Sequence, residues 1–338
     1  MRNLDRVHRR PRHATRSLAR SFARLIALLA VWHGGAQAAR GQGVIFQDGF
    51  EECGLGHWSH STDPLPPERF SGVTAGELAD ALGACSPSLL DASYRLADGS
   101  LPSVITLSEM QELQASILNQ FGTGGITALA GGSVAVLSSG RARDMDSPDW
   151  IDPNGGTRFA RPGLAPPGFL AAHGGVLPQN PVCGTQDAGA NDAIALRLVL
   201  QVPPAAQHLV FSFLFASANW PEFNCSVYDD YFLAIATGSS PLLPPDRNVA
   251  LDVGGPGGGS GGPVSTGYVV PDYCNGCPGG AGALAGTGFG ADAMTGWRQA
   301  SVPVVPGETL TLDLMVFDAG DDSWDTLVLI DDLRWERF

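Results

Sequence analysis

Four carboxylates, Asp318, Asp321, Asp322 and Asp325, fall within eight residues, and Asp331-Asp332 closes the apolar run that follows. Like charges held this close repel. Solvent can disperse them, backbone N–H groups can cap them, or a hard cation such as Ca²⁺ can collect their oxygens. Asp229-Asp230, heading another apolar run, adds two more acids of the same type. The candidate cation ligands are therefore Asp318, Asp321, Asp325, Asp229 and Asp230, with Ca²⁺ as the candidate structural cofactor. The competing reading is a polar hairpin turn whose aspartates accept backbone N–H bonds as Asx-turns. The spacing is not that of an EF-hand. A second acid-rich loop, Asp144, Asp146, Asp149 and Asp152 followed by Asn154-Gly155-Gly156, also misses the calcium-loop pattern and reads as a solvated, Pro-stiffened segment.

Aromatic residues at expected loops offer a different chemistry. Trp324, inside the acidic turn, and Trp150, in the second acid-rich loop, are candidate contacts for a sugar ring or a peptide partner. Trp220 and Trp297 read as core. Catalytic patterns are weak. Beyond the leader only His57, His60, His173 and His208 occur, without a zinc-protease, nucleophile-elbow or Cys–His arrangement. A glycosidase needs only two facing carboxylates, so a secreted hydrolase of polysaccharide or cell-wall material stands as the alternative class.

Strands must position these residues. Short apolar or alternating runs recur at Val44–Gln47, Ser133–Ser138, Ala193–Val202, His208–Ala216, Tyr231–Ala236, Asn248–Val253, Arg298–Val304, Thr309–Phe317 and Thr326–Ile330. Gly, Pro, Asn and Asp punctuate them, and from Ser133 onward no helical pattern intervenes, which predicts a mainly β, jelly-roll-like antiparallel β-sandwich. One or two short helices belong near the N-terminal part. Thr74–Leu82 reads as one. Thr106-x-x-Glu109 reads as a capping box opening another, with Met110, Leu113, Ile117 and Phe121 along one face. Residues 145–179 read as a long ordered loop, and 254–290 as a Gly-rich surface insertion.

Residues 1–38 read as a secretory signal peptide: eight arginines in the first 24 positions, the apolar run Leu25–Trp32, then Ala36-Gln37-Ala38 as a small-x-small cleavage signal. Eight of the 20 basic and one of the 34 acidic residues lie there, leaving 12 against 33, a net charge of −21. So acidic a chain, without a basic cluster, is unsuited to nucleic acid, and no second apolar segment is present to cross a membrane. The six cysteines, Cys53, Cys85, Cys183, Cys225, Cys274 and Cys277, all follow the leader. In an oxidising compartment they favour three disulfides, with pairing open among 15 arrangements. Cys274–Cys277 could also be a redox-active pair, but Pro278-Gly279-Gly280 follows where a helix would be needed.

Several motifs in order resemble the choice-of-anchor L domain family of exported bacterial proteins. They are Gly131–Gly140 followed by Arg141-Ala142-Arg143; the alternating Phe211–Ser217 with Trp220-Pro221-Glu222-Phe223 and Tyr228–Phe232; and Pro306-Gly307-Glu308-Thr309 with Asp318-Ala319-Gly320-Asp321 and Asp325. Ala218-Asn219 stands where the family carries paired acids. The resemblance spans roughly residues 74–332, which divides the chain into the leader, an N-terminal strand-and-loop segment at 39–73 and the β-domain at 74–338. The resemblance implies export and no defining reaction; the reading adopted beside it is a non-catalytic module, secreted or at the outer cell surface, that binds an extracellular glycan or surface protein in adhesion, with Ca²⁺ as its candidate stabiliser. A structural envelope protein without a small ligand is the third reading.

Overall fold

The computed structural model describes residues 44–46, 67–84, 87–179, 188–223, 226–250, 264–266, 279–290 and 293–337. The expected signal peptide, His57 and His60, all six cysteines and the Gly-rich stretch on either side of 264–266 lie outside the described residues. So, therefore, do the disulfide and redox expectations.

Fourteen strands and three short α-helices are formed among the described residues. In chain order they are β1 (Val44–Phe46), α1 (Ala75–Ala81), β2 (Leu89–Arg95), α2 (Val104–Glu109), β3 (Ala115–Leu118), β4 (Gln120–Phe121), β5 (Ile126–Thr127) and β6 (Val134–Ser138). Then come α3 (Pro167–Ala172), β7 (Asn191–Gln201), β8 (His208–Ser217), β9 (Tyr231–Thr237) and β10 (Val264–Ser265). The series closes with β11 (Ala293–Met294), β12 (Arg298–Pro303), β13 (Thr309–Asp318) and β14 (Thr326–Glu336). One sheet runs β11-β8-β14-β6-β3, with β12 also on β8 and β1 on β14; the other runs β10-β9-β13-β7-β2. All these pairings are antiparallel. The mainly β antiparallel sandwich expected from the strand rhythm is the observed fold.

Strand periodicity decides where the core sits. On β13, Leu310, Leu312, Leu314 and Val316 face the other sheet; on β7, Ile194, Leu196, Leu198 and Leu200 do; on β9, Phe232, Ala234 and Ala236. The opposing sheet answers with Phe211, Phe213 and Phe215 of β8, Val328 and Ile330 of β14, and Ala135 and Leu137 of β6. The alternate residues of these strands are buried too, under smaller clusters: Met315, Phe317, Tyr231 and Leu233 pack beneath α3, while Leu214, Val136, Leu327 and Leu329 pack beneath Phe121, Leu284 and Phe289. Burial on both faces explains why these strands read as apolar runs rather than as clean alternation.

Besides α3, which forms inside the stretch read as a loop, two elements depart from the sequence expectation. The helix read through Phe121 stops at Glu109: Ser103, not Thr106, caps α2, accepting from the Thr106 N–H at 3.1 Å, and Met110–Gln114 forms one wide π turn. Ile117 then pairs with Ala135 of β6 and faces the inter-sheet core. Strand pairing overrides the helical spacing there. β2 is the second departure. Its residues are mostly part-exposed along the edge of its sheet, so it lacks the apolar run that marks the other strands. Asn248 forms only an isolated bridge to Ile235, and the rest of its expected strand from residue 251 lies outside the described residues.

Candidate functional site

The core-facing rows of the sandwich do not end in apolar residues. Two positions beyond Val316 the β13 row reaches Asp318; two before Phe232 the β9 row begins at Asp230; two before Ile194 the β7 row begins at Asp192. β13 lies between β9 and β7, so three neighbouring strands each bring a carboxylate to one end of the core. The facing sheet supplies hydroxyls by the same rule: Thr326 before Val328 on β14, Ser217 after Phe215 on β8, and Ser139 after Leu137 beyond β6. All six residues are buried, none more than 1 % exposed. The turn 319–325, which carries the chain from one sheet to the other, roofs this layer.

Partners are unevenly shared within it. Asp230 accepts from the Thr326 hydroxyl at 2.5 Å, the Asn219 side-chain amide at 2.8 Å and the Ala319 N–H at 3.1 Å. Asp192, at a bulge with φ 48°, accepts from the Phe159 and Arg161 N–H groups, each at 2.8 Å, and the Arg161 guanidinium stands 3.9 Å away. Ser217 and Thr326 share a hydroxyl contact at 3.1 Å, and Ser217 meets Thr266 at 3.0 Å. The Gln114 amide crosses between the sheets, donating to the Ser138, Ser139 and Asp192 carbonyls at 2.7–3.1 Å. Asp318 is different. Neither of its carboxylate oxygens makes a hydrogen bond of normal geometry to any described residue. Ser139 faces it, yet donates to the Thr326 carbonyl at 3.3 Å. Burial, then the charges of Asp230 and Asp325, push the Asp318 carboxyl well above the usual carboxylate range, and burial pushes Asp230 and Asp192 upward as well.

Asp325 sits in the turn itself. It is 3 % exposed, accepts from the Thr157 N–H at 3.0 and 3.1 Å and from the Arg141 N–H, and is pushed by burial up to about 7. Gly140 and Gly156 make room for it: a Cβ on either would lie 1.7 or 2.0 Å from an Asp325 oxygen.

The other sequence candidates separate from this group. Asp229 is buried and accepts from the Ser265 hydroxyl at 3.0 Å. Asp321 accepts from the Ser323 N–H at 3.1 Å, an Asx-turn, and Asp322 lies 3.8 Å from Arg158 at the rim. Among the described residues no three Asp, Glu, His or Cys side chains are disposed to hold one metal ion between them. Trp324, with φ 66°, is half-buried, its ring edge-on to Phe223 at 4.8 Å. Trp150 is also half-buried, close against Gly288. In the second acid-rich loop Asp144 is buried and accepts from the Gly122 N–H at 2.7 Å, while Asp152 accepts from the Asn154 N–H at 3.0 Å. Sequence reasoning missed Asp192 and the row Ser139, Ser217 and Thr326. Extending each apolar row by one strand period would have found them.

A cluster of exposed apolar side chains lies elsewhere. Leu101, Val104 and Ile105 are 70–86 % exposed at the start of α2. Beside them a cavity of about 380 Å³ is lined by Leu96, Thr106, Arg161 and Leu164 among others. Arg161 stacks over Phe159 at 4.7 Å and lies 3.7 Å from Glu109. Among the described residues no helix is long and apolar enough to cross a membrane.

No curated protein matches this sequence. Among solved structures, the chain is similar to the K3 cleaved adhesin domain of Lys-gingipain from Porphyromonas gingivalis, at 12% identity over 64% of this chain and 91% of that one, with a TM-score of 0.21. It is also similar to a beta-glucosidase from Kluyveromyces marxianus, at 10% identity over 78% of this chain and 23% of that one, with a TM-score of 0.19. Similarities this weak carry no argument about function. The family comparison bears directly on the acidic layer, because β7, β8, β9, β13 and most of β14 fall inside the matched segment: residues 180–333 match the choice-of-anchor L domain.

Proposed function

We propose that this protein is a non-catalytic binding or adhesion module, exported to the cell surface or the medium. The carrying observation is that the choice-of-anchor L match at residues 180–333 takes in β7 to β13 and most of β14, strands drawn from both sheets, together with the turn at Asp318–Asp325. The acids that first suggested chemistry are tied into that fold: Asp230, Asp192 and Asp325 hold backbone N–H groups and hydroxyls inside the sandwich. Recognition then falls to the surface. The exposed Leu101, Val104 and Ile105 stand beside a largely apolar cavity into which Asp98, Thr106 and Arg161 bring polar groups, which suits an extracellular glycan or a surface protein.

The reading is tested with the purified chain on a glycan array and against intact bacterial and host cells. Retention that falls at least fivefold in a Val104→Ser, Ile105→Ser double variant of unchanged melting temperature supports it. Release of reducing sugars from a polysaccharide panel would overturn it in favour of a hydrolase.

A further inference from the structure

We propose that Asp318 and Asp230 hold a calcium ion inside the sandwich, with the hydroxyl oxygens of Thr326, Ser217 and Ser139 completing its shell. This goes beyond the surface reading and stands apart from whatever the surface binds.

The reasoning starts from Asp318. It is 1 % exposed, neither of its oxygens makes a hydrogen bond of normal geometry to a described residue although the Ser139 hydroxyl faces it, and the charged groups that act on it are the carboxylates Asp230, Asp325 and Asp192. A buried polar group without a partner is costly, and a buried charge among like charges more so. No lysine exists in this chain to offset it. Of the nearby arginines, Arg161 serves Asp192, while Arg141 directs its guanidinium to the Asp149 carbonyl at 3.0 Å. A proton on Asp318, directed to Ser139 or to the Asp230 carboxylate, would remove one charge and leave the other carboxylate charged and buried. A cation answers both charges at once.

The surrounding oxygens fit a hard ion. Asp318 and Asp230 occupy the same layer on adjacent strands, and two carboxylates neutralise a doubly charged ion. The facing sheet offers only hydroxyls at that level, which are neutral oxygen donors of the kind Ca²⁺ accepts in its flexible shell. Mg²⁺ demands stricter octahedral geometry and retains its waters, which a layer this closed does not admit. The site therefore differs from a cage of three carboxylates, and from the half-buried Asp321 and Asp322 of the turn. Because its donors come from both sheets, the ion would tie the sheets together.

The test uses the full chain, equilibrated with CaCl₂ or with EDTA, desalted and assayed for bound metal, with thermal melts in parallel. Expected are about one calcium per chain and a rise on the order of 5 °C in calcium over EDTA. Asp318→Asn should lose both the ion and the rise, while Asp321→Asn keeps them. If Asp318→Asn does not fold, Ser217→Ala serves instead and should lower the calcium-induced rise at least twofold. A wild-type chain that retains no calcium and melts alike in calcium and EDTA overturns the proposal. So does an Asp318→Asn or Ser217→Ala variant that keeps the full calcium response.

Discussion

Two glycines show how tightly single residues are specified around the turn. Gly140 and Gly156 lie against the Asp325 carboxylate, where a methyl group would overlap an oxygen, and Gly156 also has φ 54°. Gly140→Ala should therefore cost about 3 kcal/mol by urea denaturation, at the upper end of overpacking effects, because the carboxylate cannot retreat without leaving the Thr157 N–H. Asp331 offers a pH reading away from this layer. It is buried, its carboxylate accepts from the Leu129, Ala130 and Asp332 N–H groups, and burial raises it to about 7. The raised value means that the folded chain holds a proton here that the unfolded chain has released above about pH 4. Its contribution to stability is therefore greatest at low pH and falls as pH rises toward 7, by on the order of 1 kcal/mol per unit. Urea midpoints between pH 5 and 8 should fall more steeply for the wild type than for Asp331→Asn. At this scale the sequence was partly legible. Asp230, Asp318 and Asp325 stood out by crowding, whereas Asp192, a lone acid before an apolar run, carried no signal of its own until β7 was seen beside β13.

At the scale of elements, α1 and α2 show why local signals succeed or fail. α1 has a complete capping box: the Thr74 hydroxyl accepts from the Glu77 N–H at 3.3 Å, and the Glu77 carboxylate accepts from the Thr74 N–H at 2.9 Å. Its inner face, Leu78 and Ala79, is buried in the main core. Thr74→Ala should lower stability by about 1 kcal/mol, measurable as a shift in the chemical midpoint with unchanged slope. The sequence located this helix because cap and apolar face agree. For α2 the two signals disagree. The cap is at Ser103, the helix buries none of its residues, and Ile117 and Phe121 belong to strands. Apolar residues at helical spacing also occur by accident where a strand follows a turn, and only the presence of β6 beside β3 decides between them. β2 shows the converse: an edge strand needs fewer apolar residues than the pattern requires.

Across the whole molecule, stability and the proposed recognition fall to different surfaces. The packed rows between the sheets hold the fold, so Phe213→Ala should cost about 3–5 kcal/mol. Val104→Ser with Ile105→Ser, on exposed side chains, should stay within about 0.5 kcal/mol of wild type for each change. Chemical denaturation of both variants beside the binding assay separates the two roles. The sandwich as a whole was legible because burial on both faces makes its strands into apolar runs; the order of strands within each sheet was not, since pairing is settled by contacts between segments distant in sequence.

The polar layer at one end of the core also bears on how the strands find their alignment. Sliding β13 by two residues along β9 and β7 would preserve its inward apolar face almost unchanged, so the aliphatic rows alone discriminate weakly between neighbouring alignments. With Asp318 at the end of the row, the same slip would drive a carboxylate among Phe213, Phe215 and Phe232, or leave Val316 facing Thr326 and Ser217. One polar row thus serves as the mark against which the central strands of the sandwich are set.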